Sequence, residues 1–167
     1  MGDPRRGTGV DRTGVAAGAG ERTHAVREFE AFVAGASGRL LHAATLLTAE
    51  PRTRNPRARA LLTAALAQTY AVWSRQRDED PYELTRSDLA VRFARSGWRY
   101  RRGDGSGPLA ALSPQERLVV VLRLYEGVAE EQVAALLGLP ETRVRAVCAR
   151  SVAALRASGA ARRGVAA

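Results

Sequence analysis

Four arginines lie at helical spacing near the end of the chain, where their side chains are suited to nucleic-acid recognition. Arg143, Arg145, Arg150 and Arg156 fall outside the apolar stripe of a helix predicted from Glu141 to Arg156. A guanidinium group donates paired hydrogen bonds to phosphate oxygens and to the major-groove edge of guanine. Because arginine-faced helices also occur on solvated surfaces, the face alone does not define a site.

The residues before this helix predict a helix-turn-helix. A preceding helix begins at the capping residue Ser113, has Pro114 in its first turn and ends at Gly127. A short helix from Glu130 to Leu137 then ends at Gly138, which can adopt a positive φ. Two helices joined by a glycine turn, the second of them basic, fit the major groove, so the combined pattern favours DNA contact.

A second basic element lies in the middle of the chain, in a helix predicted to begin at Asp80-Pro81. Its candidate DNA-contacting residues are Arg92, Arg95, Trp98, Arg99, Arg101 and Arg102. Bases of single-stranded DNA stack on aromatic rings while cations follow the phosphates, which favours melted DNA as the ligand. In the alternative interpretation, Phe93 and Trp98 are core residues beneath a solvated basic face, and the sequence leaves both open.

The charge and the amino-acid composition of the chain favour some classes of function and exclude others. The chain has 167 residues, a formal net charge of +9 and 26 basic residues, all of them arginine. Such a charge favours a polyanionic partner. Because the sequence contains no lysine, it excludes the phosphate-binding lysine of a Walker loop and any lysine Schiff base.

The remaining reactive groups predict no catalysis. Cys148 lies on an apolar stripe and is expected to be a packed thiol in a reducing cytoplasm. His24 and His42 have no neighbouring cluster of metal ligands, so no metal site is expected. Apolar runs are far shorter than the roughly 20 residues that span a bilayer, and no signal-peptide segment is recognised. We therefore expect a cytoplasmic protein that is not an enzyme and uses no cofactor, small-molecule substrate or membrane.

Helical periodicity predicts an all-α fold with two small domains. An apolar face runs from about Glu21 to Leu47 and is interrupted between Gly35 and Gly38, so two helices or one kinked helix are both compatible. The next helix is predicted from about Arg57 to Arg75. The predicted divisions are a disordered tail (1–20), a helical bundle (21–102), a flexible linker (103–111), a helix-turn-helix domain (112–158) and a frayed tail (159–167).

The last third of the chain resembles the extracytoplasmic-function sigma factors of bacterial RNA polymerase, particularly the small actinobacterial type. The resemblance is carried by the segments Leu112 to Arg117, Leu122 to Gly127 and Val133 to Gly138. It implies that the last helix reads the −35 promoter element in the major groove. The residues expected to do so are Glu141, Thr142, Arg143, Arg145 and Arg150. The family usually has Gly-Thr-Val-Lys-Ser-Arg where this chain has residues 142–147, so its sequence preference is expected to differ.

The amino-terminal half is similar to the same family in Leu46-Leu47-Thr48, in Ala65-Leu66 with Tyr70 and Trp73, and in Asp80-Pro81-Tyr82. The resemblance implies that this half binds the clamp helices of the polymerase β′ subunit, opens the −10 element and captures a flipped base. The residues expected at the polymerase are Arg59, Leu61, Leu62, Thr63 and Leu66.

Positions 59–63 depart from the family's Glu-Asp-Leu-Val-Gln. An arginine in place of a carboxylate at position 59 reverses the charge there, which is expected to oppose polymerase binding. The predicted function is a sigma factor that directs core RNA polymerase to promoter DNA. One alternative is a DNA-binding regulator that does not recruit polymerase. Another is a protein-interaction module that sequesters an anti-sigma factor.

Overall fold

The structure, a computed structural model, describes residues 12–75, 78–100 and 105–165. Its six α-helices are α1 (Arg12–Thr48), α2 (Pro56–Val72), α3 (Pro81–Ser96), α4 (Pro114–Val120), α5 (Glu130–Leu137) and α6 (Glu141–Val165). A 3₁₀ turn (Gly97–Arg99) follows α3, and a π-helical turn (Val121–Tyr125) continues α4. Since these ranges contain helices and no strand, the predicted all-α class is confirmed.

Helices α1, α2 and α3 pack together as a bundle. The buried face of α2 consists of Ala58, Leu62, Ala65 and Thr69, which recur at helical spacing. The other two helices contribute Leu40, Ala43, Ala44, Leu47, Leu89, Ala90 and Phe93. The interior is joined by polar contacts as well as apolar ones, because the hydroxyl groups of Thr69 and Thr85 hydrogen-bond at 2.8 Å between α2 and α3.

Both ends of the described chain are more helical than the sequence pattern predicted. Helix α1 is continuous through Gly35–Gly38, which settles the choice between one helix and two. It begins at Arg12, within the segment predicted to be a disordered tail, whereas residues 1–11 lie outside the described residues. The alanines in this segment favour extension of a helix that is already nucleated, whereas its glycines oppose it. For the same reason α6 continues to Val165, beyond its predicted end at Arg156.

Helices α4, α5 and α6 form the second unit, in which the start of α4 and the end of α5 follow the predicted caps. The hydroxyl of Ser113 accepts from the Glu116 amide at 3.4 Å, and the Glu116 carboxylate accepts from the Ser113 amide at 2.8 Å. This reciprocal capping box fixes the start of α4. Gly127 and Gly138 have φ values of 71° and 63°, which confirms the glycine stops predicted at both positions.

The described part of the predicted linker packs against the end of α1. The Gly107 amide donates to the Ala49 carbonyl at 2.8 Å. At Gly105 an added Cβ would lie 2.2 Å from the same carbonyl oxygen, so only glycine permits this approach. The two glycines therefore serve close packing in this conformation, although they were predicted to provide flexibility. The division into two domains stays a prediction.

Candidate nucleic-acid interface

Helices α5 and α6 meet at a tight turn centred on Gly138. With Gly138 in the left-handed conformation, the Leu139 amide donates to the Ala134 carbonyl at 3.0 Å and closes the end of α5. The carbonyl of Pro140 then accepts from the amides of Arg143 and Val144 in the first turn of α6. Local backbone hydrogen bonds therefore close the turn between the two helices.

One side of α6 faces the core and the opposite side faces solvent. Val144, Val147 and Ser151 are buried at helical spacing. All five residues predicted to contact a −35 element are exposed: Glu141, Thr142, Arg143, Arg145 and Arg150. At 100° per residue, Ala146 and Ala149 lie between Arg145 on one edge and Arg143 and Arg150 on the other. A line of small side chains with arginines along both of its edges suits a helix that enters a groove.

Two of these arginines form ion pairs within the protein. Arg145 pairs with Glu130 of α5 at 2.7 Å, and Arg150 pairs with Glu116 of α4 at 3.6 Å. Both guanidinium groups stay more than half exposed, so the pairs leave them accessible to a ligand. Sequence reasoning missed both partners because the pairs join different helices.

A second basic surface lines a groove of about 640 Å³ between α2 and α3. Arg92, Arg95 and Arg99 border it from the side of α3 and the 3₁₀ turn, and Arg57 borders it from α2. Asp88 also lines the groove and forms an ion pair with Arg92. Sequence reasoning missed Arg57, because α2 was assigned to polymerase contact as a whole. The groove therefore carries four guanidinium groups and one carboxylate, and this excess of positive charge suits a polyanion.

The aromatic residues at and just after the end of α3 divide into core and surface. Phe93 is fully buried and stacks on Tyr100, with the ring centroids 5.1 Å apart. Trp98 is 68% exposed, and the guanidinium of Arg99 lies 4.9 Å from its ring centroid. The core interpretation is thus correct for Phe93 and wrong for Trp98, whose ring is available for stacking. Two further predicted DNA contacts, Arg101 and Arg102, lie outside the described residues.

The predicted polymerase-binding residues do not share one face of α2. Leu62 is 6% exposed and packs in the bundle core, so its assignment to a partner-facing surface is wrong. It is one helical turn from Ala58 and Ala65, which places it on the buried stripe. Arg59 and Thr63 are exposed, whereas Leu61 and Leu66 are half-buried. The Arg59 Nε donates to the side chain of Asn55 at 3.1 Å, and Arg59 itself is exposed.

The described residues were also searched for a metal site and for a membrane-spanning helix. Within them, no group of three or more His, Cys, Asp or Glu side chains is arranged to hold a metal ion. Over the same ranges, no helix combines the length and apolar composition needed to cross a bilayer. Helices α5 and α6, joined by the Gly138 turn and carrying exposed arginines on α6, form a helix-turn-helix suited to DNA.

Comparison with known proteins agrees with this class. Residues 109–157 match the family model "Sigma-70, region 4". The chain is 29% identical over 155 residues to the "RNA polymerase sigma-E factor" of Streptomyces coelicolor, a match that covers 78% of this chain and 85% of the relative. No solved structure matches the chain. Both matches are to sigma factors, so residues 109–157 are similar to sigma region 4 and the chain as a whole is similar to an RNA polymerase sigma factor.

Proposed function

We propose that the protein directs core RNA polymerase to promoters and that α6 enters the major groove of the −35 element. The observation that carries this proposal is the exposed, arginine-flanked face of α6 behind the Gly138 turn, inside the segment that matches sigma region 4. Glu141, Thr142 and Arg145 are placed to meet base edges, and Arg143 and Arg150 to meet a phosphate backbone. Phosphate contacts give affinity that depends on salt, and base-edge contacts give sequence choice.

The groove between α2 and α3 is the proposed site for the melted −10 segment. Arg92, Arg95 and Arg99 would neutralise phosphates of a single strand, while the exposed ring of Trp98 offers a stacking surface for a base. Stacking tolerates every base, so the groove would supply affinity and hold the strand open. Preference for a −10 sequence then requires additional contacts to base edges.

The outer side of α2 is the proposed contact with core polymerase, through Arg59, Leu61, Thr63 and Leu66 at the β′ clamp helices. Its polar centre differs from the pattern that the family resemblance predicts, because position 59 carries an arginine. Like charges across an interface oppose association. We therefore expect weaker polymerase binding than a carboxylate at this position would give. Because core RNA polymerase acts in the cytoplasm, the proposed function also predicts a cytoplasmic protein.

Binding to sigma-free actinobacterial core RNA polymerase tests this part of the proposal. The natural chain is compared with a variant in which Arg59→Glu, Ala60→Asp and Thr63→Gln restore the family pattern. All three residues are exposed, so the substitutions leave the bundle core intact. Binding by both proteins, tighter in the variant, is the expected result.

Two other results would change the assignment. Binding by the variant alone would favour a DNA-binding regulator that has lost recruitment. Binding by neither, together with an absence of salt-dependent DNA binding, would favour a module that interacts with a regulatory protein such as an anti-sigma factor.

A further inference from the structure

The loop between α1 and α2 and the first turn of α2 present a cluster of arginine side chains. Residues 50–59 contain four arginines and one carboxylate, and all four arginines are exposed: Arg52, Arg54, Arg57 and Arg59. Among the described residues, none of the four lies within ion-pair distance of a carboxylate. The arginines that do form ion pairs in the described ranges lie elsewhere: Arg39, Arg86, Arg92, Arg145 and Arg150. Unpaired positive charge concentrated in this way favours a polyanionic ligand.

The one carboxylate in this segment, that of Glu50, holds the backbone. Its Oε1 accepts from the Arg57 amide at 3.1 Å, and its Oε2 accepts from the Ala58 amide at 2.8 Å. The Thr48 hydroxyl donates to the same Oε2 at 3.0 Å. Glu50 thus satisfies two amides at the start of α2, so this helix end is already occupied by an acceptor. A ligand would therefore be recognised by the arginine side chains.

Side-chain and backbone hydrogen bonds hold the loop in place. Asn55 is 6% exposed, and its side-chain nitrogen donates to the Thr45 hydroxyl at 2.9 Å. Its side-chain oxygen accepts from the Nε of Arg59 at 3.1 Å. Within the loop, the Arg54 amide donates to the Pro51 carbonyl at 3.1 Å and closes a turn. Because the backbone is already ordered, binding a ligand at this loop costs little conformational entropy.

Arg57 connects the loop to the groove between α2 and α3. It lies in the first turn of α2, and it lines that groove together with the three arginines of α3 and the 3₁₀ turn. Arg54 and Arg52 precede it by three and five residues, so the Cα of Arg52 lies at most about 18 Å from that of Arg57. The positive surface therefore continues from the groove onto the loop.

The lining of the groove indicates which kind of polyanion would follow this surface. Ala60, Leu61 and Ala64 of α2 and the ring of Tyr100 line it beside the guanidinium groups. Bases of a single strand can pack against apolar and aromatic groups while cations meet the phosphates. A duplex keeps its bases stacked inside and would present mainly phosphates here. The combination therefore favours single-stranded nucleic acid.

We propose that Arg52, Arg54 and Arg57 extend the α2–α3 groove over the amino-terminal end of α2 and bind phosphates of the melted DNA strand that continues beyond the −10 segment. The inference rests on the proposed function, because the groove is the proposed −10 site. It assigns a ligand to the loop between α1 and α2, which has none in the proposed function. It also places a DNA contact beside Arg59, at the edge of the proposed polymerase surface.

The test compares the full natural chain with a loop variant that carries Arg52→Ala, Arg54→Ala and Arg57→Ala. Fluorescence anisotropy measures binding to single-stranded oligothymidylates of about 6 and about 12 nucleotides, lengths within the range of known single-strand sites. Each titration is repeated at several salt concentrations, and circular dichroism checks that both proteins fold. The natural chain should bind the longer strand more tightly, because only that strand reaches from the groove to the loop.

The loop variant should lose most of this gain with length. We expect it to bind the longer strand at least about tenfold more weakly and the shorter strand within about threefold of the natural chain. The slope of log affinity against log salt for the longer strand should fall by about 2, because each phosphate contact on a single strand contributes about 0.7. Equal affinity of both proteins for the longer strand would contradict the proposed path.

A control variant with Arg22→Ala, Arg27→Ala and Arg75→Ala removes the same charge from exposed positions near the opposite end of α2. At that end, the ring of Phe29 packs 5.0 Å from that of Trp73. The control should bind both strands nearly as the natural chain does. Equal losses in the control and the loop variant would reduce the effect to net charge and overturn the inference.

A groove variant with Arg95→Ala and Arg99→Ala separates this inference from the proposed function. It should bind both strands more weakly. Weaker binding in the groove variant and none in the loop variant would overturn the inference and leave the proposed −10 site standing. Unchanged binding in the groove variant would overturn both.

Two further measurements address other partners of the loop. The loop variant should bind core RNA polymerase as the natural chain does. Loss of polymerase binding with unchanged oligothymidylate binding would make the loop a protein contact and refute the inference. Oligouridylate RNA of the longer length should bind no more tightly than the DNA strand, and clearly tighter binding would reassign the surface to a transcript.

Discussion

Arg145 on α6 and Glu130 on α5 form an ion pair with 2.7 Å between Nη2 and Oε1, across the turn of the helix-turn-helix. The arginine side chain remains 69% exposed while its partner is largely covered. The free protein therefore presents a pre-oriented guanidinium at the edge of the recognition face. Because the pair is accessible to water, its contribution to stability is small, and its effect falls mainly on DNA binding.

Glu130→Gln is expected to tighten DNA binding. The substitution removes the negative charge that competes with DNA for Arg145 and keeps a side chain of similar shape. Affinity for non-specific duplex should rise by less than about tenfold, since an exposed ion pair contributes roughly 0 to 1 kcal/mol. Fluorescence anisotropy at several salt concentrations measures this change. Glu131→Gln, at the exposed neighbouring position, is the control for net charge, and an equal gain in both variants would contradict the specific pairing.

Arg143→Ala and Arg145→Ala distinguish phosphate contacts from base contacts. Loss of a base contact should weaken binding to the preferred −35 sequence by about 1 to 3 kcal/mol and relax preference at one position. Loss of a phosphate contact should weaken all sequences similarly and lower the salt slope by about one. We expect the first pattern for Arg145 and the second for Arg143. Arg156→Ala, on an exposed later turn, is the control, and unchanged promoter footprints in both test variants would contradict the assignment.

Ser113→Ala is expected to lower the free energy of unfolding by about 1 kcal/mol. The substitution removes the hydroxyl that accepts from the Glu116 amide, and so disrupts the capping box at the start of α4. Denaturant unfolding monitored by circular dichroism measures the loss. Gln115→Ala, at an exposed position in the same turn, should have a much smaller effect. Equal losses in the two variants would show that the box does not stabilise the helix.

The raised pKa of Tyr82 predicts that the protein loses stability in alkaline solution. Burial, followed by the hydrogen bond to Glu126 and its charge, raises the pKa of Tyr82 above its usual value of about 10. The folded state therefore retains a proton that the unfolded state releases first. Its stabilising effect is complete below pH about 10 and decreases as the pH rises toward the folded pKa. Urea unfolding between about pH 9 and pH 11 should show a steeper loss in the natural chain than in Tyr82→Phe, and parallel losses would contradict the raised pKa.

Local signals in the sequence predicted much of the fold. Ser113, Pro114 and Glu116 specify the start of α4, and glycines at 127 and 138 specify two helix ends, because caps and positive φ depend on a few adjacent residues. The exposed face of α6 also follows from helical spacing alone. The helical residues before Glu21 and after Arg156 were missed, since no hydrophobic periodicity in the sequence indicates them.

Contacts between segments that are distant in the chain could not be predicted from the sequence. Nothing local indicates that Arg117 is buried against the carbonyl of Leu47, or that Glu126 pairs with Tyr82. The resemblance to sigma factors supplied roles for residues of α2 but not their orientation, and Leu62 was assigned to a partner while it packs in the core. Tertiary packing decides which face of an apolar helix remains available.

Promoter-specific initiation by reconstituted polymerase tests the central claim most directly. Sigma-free actinobacterial core enzyme is mixed with the natural chain and with an Arg143→Ala, Arg145→Ala double variant. Transcripts from a pool of genomic fragments are then sequenced at their 5′ ends. We predict start sites that depend on the natural chain, share −10 and −35 elements, and are lost or redistributed with the double variant. Binding of the chain to such fragments without any dependent start site would contradict a sigma factor and indicate a DNA-binding regulator.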